Sequence, residues 1–456
     1  MSVGNFIRKH LSVLLSIGLL IVSFQAHLWQ SLLGLSPQEE IAGIILVATA
    51  ILWVTESIPL YITSLGVLFF SIVWLLPALE VAQIEASKND FLIAFFGDIT
   101  LLFMGGFVLA ALLNKYGISR MIAQTILKST GSNSSSILLS VIVVSAFLSM
   151  WISNTGTAAM MFAIMAPVIM DLPDTNPFAK AIALGIPFAC NIGGIGTPIG
   201  TPPNAIAMEY ITKAGIEVSF LNWMVIAIPL MLVLLFFLWK TLLRIYPPAD
   251  KNVYLKLEQL EDFGPSQYLV IAIFMITVIG WMTSGLTGIS TGTVGLFVVL
   301  AAFGSNLLRT QDFKNISWDI LFMLGGGLCL GIALQKSGFT STIANLIPTQ
   351  GSYILLLLVL LVIAAVMTTF MSNTATANLL IPVAVSLPNS ELILSVAIAL
   401  MCSTSMALPI STPPNAIAFG SGMLQSKDML SSGMVVTAIA LVGILLACIF
   451  YLPLIV

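Results

Sequence analysis

The chain has 456 residues, of which 59% are hydrophobic and only 8% charged, with a formal net charge of -3 and a mean hydropathy of +1.08. This composition excludes a water-soluble domain and calls for a lipid environment. The sparse, slightly acidic charge offers no basic patch for nucleic acid, and without the alternating pattern of a membrane barrel the spans must be helices.

From the N-terminus, Leu11 to Leu33 follows Arg8, Lys9 and His10 and has the flank of a signal peptide. It is long enough to span and has no clear small-residue cleavage site, so an uncleaved first helix is expected. His10 and His27 have no carboxylate or Cys beside them and give no metal site. Further apolar segments fall at 39–56, 58–78, 97–113, 137–170, 179–211, 221–245, 267–285, 289–308, 318–335, 351–388, 391–424 and 432–454. Glu56 and Pro59 mark a turn between two spans. Cys190, Cys329, Cys402 and Cys448 lie in apolar surroundings without close-spaced partners, so neither a disulfide frame nor a metal cluster is expected. The one long polar connection, Tyr246 to Gln267, divides the chain near its middle.

The sequence repeats itself across that division. Asp98 to Ala123 aligns without gaps on Asp319 to Ala344, with ten of 26 positions identical, too many for apolar composition alone. Later motifs recur in the same order: Ser153-Asn154-Thr155 precedes Thr201-Pro202-Pro203-Asn204-Ala205-Ile206-Ala207, and Ser372-Asn373-Thr374 precedes Thr412-Pro413-Pro414-Asn415-Ala416-Ile417-Ala418. Between Asp98 and Asp319 the crossings number five or seven, depending on whether 137–170 turns back or spans twice. Both are odd, so the two copies should be inverted, as in many secondary transporters. Positive residues concentrate on the cytoplasmic side. With the N-terminus inside and two re-entrant hairpins, thirteen of the sixteen Lys and Arg fall inside, leaving Lys88, Lys213 and Lys336 outside. The expected fold is an all-α polytopic membrane protein of about eleven spans with two hairpins, inverted repeats and an external C-terminus.

The Ser-Asn-Thr triplets lie within apolar segments, where unpaired polar groups are costly. Ile137 to Met150 gives only about 21 Å of helix, which favours a helix that enters, turns at the triplet and leaves by the same face. The second copy, Tyr353 to Met371, is long enough to span, so its hairpin rests on symmetry. The glycines and prolines from Gly193 to Pro203 break the helix there, and unwound backbone is tolerated only inside protein or beside a cavity, where its carbonyls can hold a cation. An isolated small-residue triplet would read as close helix packing; duplication with a paired break favours a site. Gly325 to Gly327, on a plain apolar segment, reads as packing. The site residues are neutral, with no Arg or Lys beside them, so a dianion would need bound cations and helix N-termini as counter-charge. No nucleophile has a base beside it and no phosphate loop is present, so an enzyme is not expected.

The combination SNTGTA and SNTATA with TPIGTPPNAIA and ISTPPNAIA resembles the divalent anion/sodium symporter family, over nearly the whole chain. The resemblance implies two sodium sites, one of Ser149, Ser153, Asn154 and the Gly200 backbone, the other of Thr368, Ser372, Asn373 and the Ser411 backbone. It also implies substrate contacts from Asn154, Thr155, Thr201, Asn373, Thr374, Thr412 and Pro413. It further implies a homodimer in a bacterial inner membrane, surrounded by lipid, with transported sodium and no organic cofactor. A scaffold (11–90 and 267–336) would hold a transport domain drawn mostly from 91–246 and 337–456, moving as an elevator, with 247–266 as a cytoplasmic linker. Sodium-coupled symport of succinate, fumarate or malate is the expected activity. Citrate, sulfate or an exchange mode stands beside it, and a channel-like or structural membrane protein is the rival of another class.

Overall fold

In the computed structural model the described residues are 34–455 apart from 174–175, 256–262, 347–351 and 388–390, together with Leu11, Val13, Gly18, Val22, Trp29 and Gln30. The expected first helix, with Arg8, Lys9, His10 and His27, therefore lies mostly outside them, as do Lys256, Glu258, Glu261 and Asp262 of the linker.

Helix α1 (Pro37–Thr55) starts at a proline that needs no hydrogen-bond donor there, and the Ser36 N–H donates to the Glu39 carboxylate at 2.7 Å. It ends where Glu56 adopts a left-handed conformation (φ 46°), the turn expected before Pro59. Helix α2 (Leu60–Val81) passes through a wide turn at Ser71–Leu75. A short helix, Lys88–Leu92, then leads into α3 (Asp98–Lys115). The apolar segment read from position 97 thus has a helical lead-in that hydropathy missed, because its start is polar: the Ser87 N–H donates to Asp90 at 2.9 Å.

The chain continues through α4 (Ile118–Lys128), α5 (Ser134–Ser149), α6 (Asn154–Met170), α7 (Phe178–Gly194), α8 (Pro202–Lys213) and α9 (Phe220–Ile245). After the linker come α10 (Pro265–Met282), α11 (Thr291–Gly304), α12 (Trp318–Ser337), α13 (Phe339–Leu346), α14 (Tyr353–Phe370), α15 (Asn373–Val385), α16 (Glu391–Thr404), α17 (Pro413–Gly420) and α18 (Ser426–Leu446). Helix α18 begins six residues before the apolar segment at 432, because the Gln425 N–H donates to the Asp428 carboxylate at 3.0 Å and starts it among polar residues. Among the described residues, eight helices are long and apolar enough to cross a membrane. The architecture is an all-α polytopic one, and the four cysteines are free and buried in it.

The duplication is visible in three dimensions. In both aligned copies the long helix is followed by a left-handed glycine, Gly117 (φ 70°) and Gly338 (φ 87°), which turns the chain into a short following helix. Lys115, at the end of α3, pairs with Asp312 at 2.7 Å, just before α12 begins. Lys336, in the last turn of α12, pairs with Asp90 at 3.1 Å, just before α3 begins. The end of each copy meets the start of the other, so α3 and α12 run antiparallel, as the odd crossing count requires.

Glycines set the closest helix contacts. A Cβ on Gly105 of α3 would strike the Gly295 backbone of α11, and one on Gly295 would strike the Leu101 carbonyl of α3. Asp98 caps α11, accepting from the Thr291 hydroxyl at 3.0 Å and the Gly292 N–H at 3.1 Å. Gly325, Gly326 and Gly327 of α12 press against Phe95, Ser64 and Asn378 respectively, so this run does serve close packing.

Candidate functional site

The tip of each hairpin is a helix start. Ser153 Oγ accepts the Gly156 N–H at 3.1 Å and opens α6; Ser372 Oγ accepts the Ala375 N–H at 3.1 Å and opens α15. Both serines thereby satisfy a backbone donor that a helix N-terminus leaves open. Five residues before each carboxamide, a hydroxyl reaches it from the arm that enters. Ser149 donates to Asn154 Oδ1 at 2.5 Å and Thr368 to Asn373 Oδ1 at 2.7 Å. These are positions that the resemblance groups together.

The breaks in the paired helices lie beside these tips. In the first, residues 195–201 leave the helix and all are buried. Asn204, fully buried, donates through Nδ2 to the carbonyls of Gly194 (3.0 Å) and Thr197 (2.8 Å), and the Trp223 indole donates to that of Ile195 (3.0 Å). Thr197 Oγ1 donates to the Met150 carbonyl at 2.5 Å and ties the break to the hairpin. A Cβ on Gly194 would lie 2.8 Å from Asn154 Oδ1 and 3.2 Å from the Gly200 carbonyl, so those two oxygens flank the same bare backbone. Gly193 likewise leaves no room for a Cβ against Ala146 of α5.

In the second break, 405–412, Asn415 donates to the carbonyls of Met406 (3.1 Å) and Leu408 (3.0 Å). Ser411 Oγ donates to the Thr369 carbonyl at 3.2 Å, and Thr368 reaches the Cys402 carbonyl at 3.0 Å. The second set of Thr368, Ser372, Asn373 and Ser411 is thus also brought together.

The two halves interlock. Helix α17 packs on α6 and α7 of the first repeat, and α8 packs on α15 and α16 of the second. Helices α6, α8, α15 and α17 all begin at the motifs. Of the residues expected to meet a substrate, Thr201, Thr374 and Thr412 are buried, Asn154 and Asn373 half-buried, and Thr155 and Pro413 exposed. An apolar crevice of ≈ 480 Å³ runs between α6 and α17, lined by Phe162, Ala166, Met170, Ile417 and Met423 among others. Sequence reasoning quoted Asn204 and Asn415 as motif letters without giving them a task, counted Thr197 only as part of the break, and passed over Asn191. An Asn following two prolines at a helix start was the available signal, since its amide can turn back onto the carbonyls the break has freed.

The motif oxygens are hydroxyl, carboxamide and carbonyl, a neutral hard-oxygen set suited to a hard cation and ill suited to thiophilic metals. Residues 50–404 match the family model described as citrate transporter (CitMHS). The chain is 31% identical over 445 residues to the sodium-dependent dicarboxylate transporter SdcS of Staphylococcus aureus strain USA300, covering 88% of this chain and 84% of that protein. It is 30% identical over 443 residues to the protein of the same name from Staphylococcus saprophyticus, with the same coverage. Among solved structures it is similar to the YdaH transporter of Alcanivorax borkumensis, with a TM-score of 0.57 at 12% identity over 86% of this chain and 89% of that one. It is also similar to MtrF of Neisseria gonorrhoeae, whose structure is described as illuminating a class of antimetabolite efflux pumps, with a TM-score of 0.54 at 10% identity over 84% and 85%. At such identities those two likenesses speak for the fold alone. The family match across most of the chain and the near full-length relatives establish that it belongs to the divalent anion/sodium symporter family of membrane transporters.

Proposed function

We propose that this protein is a secondary transporter that couples sodium entry to uptake of a C4 dicarboxylate such as succinate, fumarate or malate. The observation that carries the reading is the pair of matched clusters, Ser149–Asn154 and Thr368–Asn373, each beside a helix break, the first buried throughout and the second reaching the surface only at its middle. Sodium would be held at one by Ser149, Ser153, Asn154 and the Gly200 carbonyl. At the other it would be held by Thr368, Ser372, Asn373 and the Ser411 carbonyl. Asn154, Thr155, Thr201, Asn373, Thr374, Thr412 and Pro413 would meet the substrate.

Because these groups are neutral, two carboxylates would enter only with counter-charge from sodium and from the N-termini of α6, α8, α15 and α17. Sodium and substrate should therefore raise each other's affinity by the same factor. The names of the relatives support sodium and dicarboxylate as the coupled pair. The description of the family model favours citrate as the second substrate to try.

The layout in a bacterial inner membrane has a cytoplasmic N-terminus and an external C-terminus, with hairpin α5–α6 entering from the cytoplasm and α14–α15 from outside. The ion pairs support it. Lys115–Asp312 and Lys180–Asp428 join residues assigned to the cytoplasmic face, and Lys336–Asp90 joins residues assigned to the outer one. The exposed Thr155 and Pro413 and the α6–α17 crevice then describe a site open toward the cytoplasm. Alternation would come from a transport domain sliding past a scaffold in each subunit of a homodimer.

Counterflow of labelled succinate in proteoliposomes, with and without a sodium gradient and with citrate as competitor, tests the reading. Accumulation only with sodium supports it; sodium-independent accumulation removes the coupling, and no accumulation of succinate under either condition removes the C4 dicarboxylate.

A further inference from the structure

Asn191 lies in the last turn of α7, ahead of the first break, and is 1% exposed. Its side chain serves the other repeat. Nδ2 donates to Thr412 Oγ1 at 3.0 Å and to Asn415 Oδ1 at 3.2 Å. Thr412 Oγ1 also accepts the backbone N–H of Asn415, at 3.3 Å. A hydroxyl oxygen has two acceptor positions and one proton. With both acceptor positions filled by N–H groups, Thr412 is left to act as a donor.

The link has no mirror image. Counting back ten residues from Thr201 and from Thr412 sets Asn191 against Cys402. Asn204 Oδ1, the counterpart of the Asn415 acceptor, is buried without a partner. The hydroxyls of Ser403 and Thr201 make a long contact at 3.5 Å in the reverse direction.

We infer that Asn191 is a positioning residue that fixes the Thr412 hydroxyl as a proton donor to a substrate carboxylate and couples the first break to the second half-site. This rests on the dicarboxylate reading above. The break that carries Gly200 begins one turn after Asn191, so a cation that orders it also orders the amide that holds Thr412 and Asn415. Coupling of this kind is reciprocal at equilibrium. A residue with only a packing role would instead change the amount of folded protein and leave the affinities alone.

The experiment is uptake of labelled succinate by full-length protein in proteoliposomes, over a range of sodium concentrations. It compares wild type, Asn191→Ala, Thr412→Val and the double variant, each checked for folding by size exclusion and thermal melting. Should Asn191→Ala not fold, Asn191→Ser takes its place. The expected result is a half-saturating succinate concentration raised about tenfold in Asn191→Ala, with a smaller change in maximal rate and a shallower sodium dependence. The same substitution should add little in the Thr412→Val background, where no hydroxyl is left to orient. Wild-type affinity and sodium steepness in folded Asn191→Ala overturn the inference alone, as does full additivity with Thr412→Val. Absence of sodium-dependent succinate uptake by wild type overturns the dicarboxylate reading and this inference with it.

Discussion

The two helix breaks share a motif but are finished differently. The first, 195–201, is sealed: every residue is buried, Asn204 turns back onto its own freed carbonyls, and the Asn204 carboxamide oxygen is left unpartnered. The second, 405–412, reaches the surface, with Ile410 75% exposed, and its Asn415 oxygen is engaged from the first repeat by Asn191. The hairpin tips show the reverse bias, since Ser153 and Thr155 are exposed whereas Thr374 is buried. The two repeats therefore hold similar side-chain clusters, and their differences decide which of them leans on the other. A symmetric sequence motif does not guarantee a symmetric site.

The largest effect should come where the halves are alike. Asn154→Ala and Asn373→Ala each remove a carboxamide oxygen and leave a buried hydroxyl, Ser149 or Thr368, without that acceptor. Sodium-dependent uptake should fall by at least the roughly 100-fold that loss of supporting contacts costs at metal sites. Sodium titration of uptake would show a weakened apparent affinity in both variants. Wild-type sodium dependence in either one would remove that half from the cation sites.

A smaller effect should separate the halves. Asn204→Ala and Asn415→Ala both strip donors from buried carbonyls, at about 1–3 kcal/mol for a group left unsatisfied. Asn204→Ala also deletes an oxygen that has no partner, which offsets part of the loss. Asn415→Ala instead leaves the Asn191 amide short of an acceptor. Thermal unfolding in detergent should therefore place Asn415→Ala below Asn204→Ala, and equal melting temperatures would mean that the cross-repeat bond carries nothing.

Much of this was legible in the sequence because membranes simplify the problem. Helix is the open form available to the backbone in lipid, so hydropathy alone locates most spans. The Asp98 and Asp319 copies, Glu56 as a turn and the triplets as turns within apolar segments could be read from residue type and order. Hydropathy failed where a helix begins in polar residues, as at Lys88 and Ser426, because capping by Asp90 and Asp428 is a local hydrogen-bond matter. In the site, it was the family resemblance and not the residues alone that grouped Ser149 with Asn154 and Thr368 with Asn373, which lie in hydrogen-bond contact. Asn191 was missed because its partners lie 221 and 224 residues away, and its repeat counterpart Cys402 offers no matching donor.

Orientation gives a third comparison, with a qualitative readout. Paired cysteines at 115 and 312, and separately at 336 and 90, replace ion pairs of 2.7 and 3.1 Å, in a background where the four native cysteines are changed to Ala. Each pair should cross-link with a short bifunctional thiol reagent. An impermeant reagent added to right-side-out vesicles should reach only the 336–90 pair, and labelling of both pairs from one side would defeat the inverted layout.

The weakest effect concerns what the ion pairs contribute to stability. The Lys115 hydrogen bond, together with the Arg309 N–H, holds the Asp312 carboxyl below its ordinary value of 3.8. A carboxyl depressed in the folded state adds stability above its unfolded pKa, and that contribution is lost as pH falls through the folded value. Lys115→Met should therefore be less stable than wild type at neutral pH, and the two should converge as the solution is acidified below the carboxylate range. The side chains are 36% and 26% exposed, so screening by water keeps the difference at about 0.5 kcal/mol or less. Raising the salt concentration should shrink it further. Melting curves at neutral and acidic pH, in low and high salt, would reveal this pattern. A gap that stayed the same in acid and in high salt would show that Lys115 acts through packing of its stem on α3 instead of through its charge.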